Sequence, residues 1–285
     1  MKPVLSIENL HFRYNKKTVL SGITCQISGG EITGILGPNG CGKSTLLKNI
    51  LGYLRPESGE IRFHQKQTET KSVKNLNFSR VISFVPQKAN TSLNVTVFDF
   101  VLMGRLPHIK SRWIGFSSKD RMETEKIIED LGIQHFRNLP ITCLSGGEQQ
   151  KIMLARCLVQ KAPIVLLDEA TANLDMKHTI EIMDLIQRKT DEEGLTAVLV
   201  LHDLNLAVRY CSRLILMKKG IIKAAGTPEE IITPENLEDI YEIPLEIYKD
   251  NKGSLFVLPK KKETLETLDE YPSEGFLKQE AEYVY

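Results

Sequence analysis

No apolar run in this sequence approaches the roughly 18 residues that a membrane-spanning helix needs; the longest, residues 164–167 and 197–201, are strand length. The N-terminus turns polar at Glu8 and Asn9 and so lacks the apolar core expected of a signal peptide. Charge of neither sign dominates: 37 Lys and Arg against 36 Asp and Glu leave a formal net charge of +1. That balance argues against a basic, nucleic-acid-binding surface. Metal-ligand spacing is missing among the five cysteines, which are scattered at 25, 41, 143, 157 and 211. Their odd number points to reduced thiols in a cytoplasmic protein rather than a disulfide framework. No internal repeat is present. What remains, 41% hydrophobic and 26% charged residues over 285 positions, suits a soluble globular chain of one large domain or two small ones.

The first sixty residues read as short strands at 4–10, 19–27 and 32–36, rich in branched residues, with a turn at Ser28-Gly29-Gly30. A glycine-rich loop then leads into a helix over 44–51. Residues 58–63 and 81–85 read as further strands, the second ended by Pro86. From about Asn94 to Gln160 helical patterns dominate, as in Ser117-Ser118-Lys119-Asp120 ahead of Ile127, Ile128 and Leu131. From Pro163 strands and helices alternate: an apolar strand at 164–167, as of a parallel strand covered on both faces, a helix around 180–186, and then strand 196–201, helix 204–210 and strand 213–217. That rhythm predicts an α/β fold with a parallel sheet. Thr227-Pro228-Glu229-Glu230 and Thr233-Pro234-Glu235 each combine an N-cap, a first-turn proline and acids, so two short helices are expected there. Beyond Pro259 come Lys260-Lys261-Lys262 and then mostly acids; residues 260–285 are expected to be a charged, mobile tail.

Three motifs carry chemistry. Gly37-Pro38-Asn39-Gly40-Cys41-Gly42-Lys43-Ser44, followed by Thr45, fits the phosphate-loop pattern in the required context, between an apolar strand and a helix. Its glycines let backbone N–H groups converge on phosphate oxygens, and the helix N-terminus adds positive dipole. Lys43 supplies a charge to the β- and γ-phosphates, and the Ser44 hydroxyl is the expected Mg²⁺ ligand. The loop by itself says only "nucleotide", because kinases, GTPases and motor proteins share it. Second, the strand at 164–167 runs into Asp168-Glu169, at the strand end where such sheets bind ligands. Asp168 is expected to hold Mg²⁺ and Glu169 to act as general base on water. Third, Leu144-Ser145-Gly146-Gly147-Glu148-Gln149-Gln150 precedes a helix expected at 151–159. This is a second anion cradle. One phosphate loop needs no second cradle, whereas two chains packed head to tail do.

Here the sequence resembles the ABC ATPases, whose signature is LSGGQ; Glu148 replaces the last Gln. The resemblance runs to about Pro259. It implies an α/β fold with a P-loop NTPase core around a mostly parallel sheet, an N-terminal antiparallel β subdomain and an inserted α-helical subdomain at about 88–160, all within 1–259. By the same resemblance Tyr14 stacks on adenine, and Gln87 links Mg²⁺ and water to the helical subdomain. Asn173-Leu174-Asp175 crosses a dimer interface, and His202 contacts the γ-phosphate. Ser145, Gly146 and Gly147 serve the nucleotide of a partner chain. Ala170 stands where a proline often follows the catalytic Glu, which loosens the backbone but removes no reacting group. Cys41 lies inside the loop, so its modification is expected to block nucleotide entry.

ATP and Mg²⁺ are thus the implied cofactors. A homodimer or paired ATPase subunits, integral-membrane permease subunits and indirectly a substrate-binding protein are the implied partners, and the cytoplasmic face of the membrane is the implied location. Residues 96–108, His202-Asp203-Leu204-Asn205-Leu206-Ala207, Gly226-Thr227-Pro228 and Tyr241-Glu242-Ile243-Pro244 are similar to importers of iron–siderophore, haem and cobalamin complexes. Residues 91–113 are expected to meet the permease, with Trp113 and Phe116 either docking contacts or local core. ATPases of zinc, manganese and molybdate importers are related, and such a subunit does not touch its cargo, so those cargoes stay open. Soluble ABC ATPases usually add long coiled coils or a second cassette, and this sequence has neither; a P-loop kinase would lack the signature.

Overall fold

The chain opens with an antiparallel pair, β1 (Pro3–Tyr14) and β2 (Lys17–Ser28), joined by a tight turn in which Asn15 takes a left-handed φ of 51°. The computed structural model describes residues 2–65, 68–72, 78–87, 93–109, 115–171, 174–251 and 253–260. Next, β3 (Ile32–Leu36) and α1 (Lys43–Ile50) leave this layer, and β4 (Ser58–Gln65) and β5 (Thr68–Ser72) return to it. The result is a four-stranded sheet in the order β2-β1-β4-β5, whose strands pair antiparallel.

The second sheet begins after the short α2 (Phe78–Val81), with β6 (Ile82–Val85). Between β6 and its neighbour in the sheet the chain makes α3 (Val97–Leu102), α4 (Ser118–Asp130) and α5 (Gly146–Val159). It then alternates through β7 (Ile164–Asp168), α6 (Met176–Glu193), β8 (Thr196–Val200), α7 (Leu204–Tyr210), β9 (Arg213–Lys218) and β10 (Ile221–Gly226). The strand order is β10-β9-β3-β8-β7-β6, parallel throughout except for the antiparallel edge strand β10. β3, β7 and β8 are buried along their whole length, as a sheet covered on both faces requires. Their side chains alternate. Ile164, Leu166, Val198 and Val200 pack with α1 and the antiparallel layer. Val165, Leu167, Ala197 and Leu199 pack with the helices on the other face.

Two local differences from the sequence reading matter. The helix expected at 151 starts at Gly146, because Ser145 is its N-cap and closes a capping box with Glu148; the signature glycines are therefore first-turn helical residues. After α8 (Pro228–Ile231) and α9 (Pro234–Tyr241), both where the Thr-Pro caps place them, the chain adds an unforeseen antiparallel hairpin, β11 (Leu245–Lys249) with β12 (Leu255–Pro259). It is tied to α7 by Asn205, whose amide donates to the Val257 carbonyl at 3.2 Å and accepts the Val257 N–H at 2.8 Å.

Candidate functional site

The carboxyl ends of β3, β6, β7 and β8 are neighbours, and each delivers one piece of the site. At the end of β3, Gly37 has φ 148°, and a Cβ there would stand 2.1 Å from the Met217 carbonyl. Gly42, the N-cap of α1, has φ 111°, and its Cβ would meet the Leu20 side chain at 2.8 Å. Only glycine fits either place, which is why the loop comes so close to β2 and β9. Asn39 and Gly40 at its tip are exposed. Lys43 is buried, its ammonium donating to the carbonyls of Gly37 at 2.7 Å and Pro38 at 3.1 Å. Thr45 follows in the first turn of α1, which presents its positive end to this loop.

The Ser44 hydroxyl donates to Asp168 Oδ1 at 3.0 Å, joining the loop to the end of β7. Burial pushes the Asp168 carboxyl up from its ordinary range, the Ser44 hydrogen bond opposes this, and the neighbouring Glu169 adds to it. Glu169 takes a left-handed φ of 52° and its N–H donates to the Val200 carbonyl at 3.2 Å. Held backbone of this kind clusters at functional sites. It aims the carboxylate between two elements: the Gln87 amide, just past β6, donates to Glu169 Oε2, and His202 Nε2, just past β8, lies 2.6 Å from Oε1. Lys43, Ser44, Gln87, Asp168, Glu169 and His202 thus form one cluster. A cleft of about 1130 Å³ opens beside it, from Glu169 and His202 to the β11–β12 hairpin. The close Ser44 and Asp168 oxygens fit Mg²⁺, which takes few protein ligands and fills its octahedron with phosphate and water oxygens.

The signature lies apart. Ser145 caps α5; its N–H and hydroxyl both donate to Glu148 Oε2 at 2.7 Å. Those bonds hold the Glu148 carboxyl below the usual carboxylate range. Gly146 and Gly147 follow in the first turn, and a Cβ on Gly146 would meet nothing within 4 Å. Asp175 caps α6, accepting the His178 N–H at 2.9 Å. Tyr14 is exposed and meets Phe12 edge-on at 4.8 Å. It closes the hairpin whose return strand carries Leu20, the neighbour of Gly42.

Cys41 is 4% exposed and packs in the core with the antiparallel layer, and burial pushes its thiol up, so it is a poor target for alkylation. Phe116 packs against the helical core. Asn173, Trp113 and residues 261–285 lie outside the described residues. The sequence reading missed Gln150, buried on α5, whose amide donates to the Pro86 carbonyl at 3.2 Å and fastens the signature helix to the Gln87 segment. It also missed Tyr241, which lies beside the phosphate loop. The run of Gln149 and Gln150 after the signature was the available signal for the first; for the second there was only the group resemblance.

The family model for the ABC transporter matches residues 20–172. The ferric enterobactin transport ATP-binding protein of Escherichia coli K12 is 37% identical over 255 residues, covering 88% of this chain and 92% of that protein. A chain from a metal-chelate type ABC transporter in an inward-facing conformation superposes with a TM-score of 0.78 at 31% identity, covering 92% of this chain and 98% of that one. A dimeric bacterial ABC transporter cassette superposes at 0.69 with 27% identity, covering 78% of this chain and 98% of its own. A chain so alike over nearly its whole described length, with its acids and phosphate loop bonded together in this way, belongs to the ATP-binding proteins of ABC transporters.

Proposed function

We propose that this chain hydrolyses ATP in a head-to-tail dimer on the cytoplasmic face of a membrane and couples that hydrolysis, through permease subunits, to import of an iron–siderophore, haem or cobalamin complex. The observation that carries the catalytic part is the placement of Glu169 between Gln87 and His202, next to the Ser44–Asp168 pair. The amides of the loop and the Lys43 ammonium bind the β- and γ-phosphates, Lys43 leaving the Gly37 and Pro38 carbonyls by side-chain rotation. Ser44, Asp168 and Gln87 hold Mg²⁺, which when bound neutralises charge on the phosphate oxygens. Glu169 accepts the proton of the attacking water, and His202 orients Glu169 and donates toward the γ-phosphate. Tyr14 stacks on the adenine. Ser145, Gly146 and Gly147 of the partner chain close over the γ-phosphate, and Asp175 lies at that junction. Hydrolysis removes the shared ligand and opens the dimer, and the link from Gln150 to Pro86 supports a relay from α5 through Gln87 to the permease. The enterobactin relative and the metal-chelate neighbour support the cargo class.

Glu169→Gln tests the assignment. It keeps the hydrogen-bonding shape but not the base, so turnover is expected to fall about 10²- to 10⁴-fold while ATP still binds and holds a dimer. Steady-state hydrolysis and size-exclusion chromatography with ATP read both. Turnover at the parental rate would remove Glu169 from the role of base.

A further inference from the structure

Tyr241 closes α9 where the C-terminal segment meets the phosphate loop, and charged clips fix the helix end there. Lys218, the last residue of β9, donates to the Asp239 carbonyl and lies 2.9 Å from Glu242 Oε1 and 3.5 Å from Asp239 Oδ1. Lys223 of β10 lies 3.1 Å from Asp239 Oδ2. The residue before Lys218, Met217, puts its carbonyl against Gly37, and the Gly220 N–H donates to the Cys41 carbonyl at 2.9 Å. The β9–β10 turn, the end of α9 and the phosphate loop therefore form one packed unit.

Inside that unit the Tyr241 hydroxyl is buried and, among the described residues, has no hydrogen-bond partner. The Cys41 thiol and the Gly37 backbone lie near enough to act on it, the Gly37 N–H from the donor side but outside the geometry of a full hydrogen bond. Burial pushes the phenol up to about 12, so it stays neutral under working conditions. A buried hydroxyl that stops short of a bond is costly and uncommon in folded proteins. A loop position that tightened the Gly37 N–H onto the phenol oxygen would remove that cost. The same loop is the segment whose amides gather around phosphate.

We propose that Tyr241 is a positioning residue for nucleotide binding: its oxygen accepts the Gly37 N–H as the loop tightens on phosphate, so that the segment after β10 sets the affinity of the loop. This rests on the reading of residues 37–44 as the ATP site. It also gives Tyr241-Glu242-Ile243-Pro244, marked in the sequence only by resemblance, a physical role.

Tyr241→Phe keeps the ring and removes the oxygen. In titration calorimetry of Mg-ATP into the purified full chain, the Kd is expected to rise about threefold to tenfold, the span of one net hydrogen bond. The thermal midpoint without nucleotide is expected to hold or rise, because an unpaired buried polar atom has gone. In hydrolysis, KM rises while kcat stays within about twofold. A parental Kd in Tyr241→Phe overturns the proposal, and so does a lowered midpoint with unchanged Kd, which marks a purely structural side chain. Failure of the unmutated chain to bind Mg-ATP defeats the reading of the loop itself.

Discussion

Glu148 places a carboxylate in the first turn of a helix whose N-terminus is read as an anion cradle. The side chain turns back on Ser145, taking both the N–H and the hydroxyl at 2.7 Å. Two effects follow, with opposite signs. The capping box stabilises the start of α5, and the negative charge lowers the pull of the helix N-terminus on a second anion. The Ser145 hydroxyl must also leave Glu148 before it can donate to a phosphate oxygen. Glutamine keeps the capping geometry and removes the charge. Glu148→Gln is therefore expected to lower the KM for ATP about two- to fivefold, the size of a single charge effect at a helix N-terminus, with little change in thermal midpoint. Steady-state hydrolysis across an ATP series measures it, and an unchanged or higher KM counts against a cradle that meets phosphate.

The inserted helices are held by a clasp built from the stretch that resembles the siderophore importers. Gly104 lies so close to α5 that a Cβ would stand 2.2 Å from the Arg156 carbonyl. Arg105 reaches the Val159 carbonyl and Asp120 Oδ1, each at 2.9 Å, with both partners of the ion pair nearly fully buried. His108 Nε2 lies 2.7 Å from the Gln160 carbonyl. Burial raises the Asp120 carboxyl, yet hydrogen bonds from Ser117 and Arg105 outweigh it and hold it at about 2. Removing one partner strands the other, so Arg105→Met is expected to lower stability by about 3 kcal/mol. Arg105→Met/Asp120→Asn is expected to recover part of that loss, because the stranded charge has gone. Urea midpoints of the two variants decide, and equal midpoints would mean the pair is not coupled. Here the limit of the sequence becomes concrete. The Ser117–Asp120 cap was legible because its residues are three apart, and the phosphate loop, acid pair and signature were legible because their chemistry needs contiguous residues. That Arg105 would pair with Asp120, or that Glu169 would sit at positive φ against Val200, depends on which distant elements pack together. The β11–β12 hairpin is a different case: its two strands pair locally across a short turn, and only its attachment to α7 through Asn205 depends on a distant element.

At the scale of the molecule, Glu169 and the five residues clustered with it are bonded to one another or to the loop, whereas Ser145 bonds within its own helix turn to Glu148. The chain thus carries two glycine-rich helix N-termini, and only the first is bonded to the acid at the end of β7. The dimeric cassette that it resembles gives a way to use both. If each site takes its loop from one chain and its cradle from the other, two dead variants must be able to help each other. Lys43→Ala removes the loop charge but leaves a sound cradle. Ser145→Arg blocks the cradle but leaves a sound loop. A mixed dimer then contains one site with both defects and one with neither. Hydrolysis absent from each variant alone is expected to return when the two are mixed, and to follow the product of their concentrations when both are dilute. A mixture as inactive as its parts would mean that loop and cradle act within a single chain.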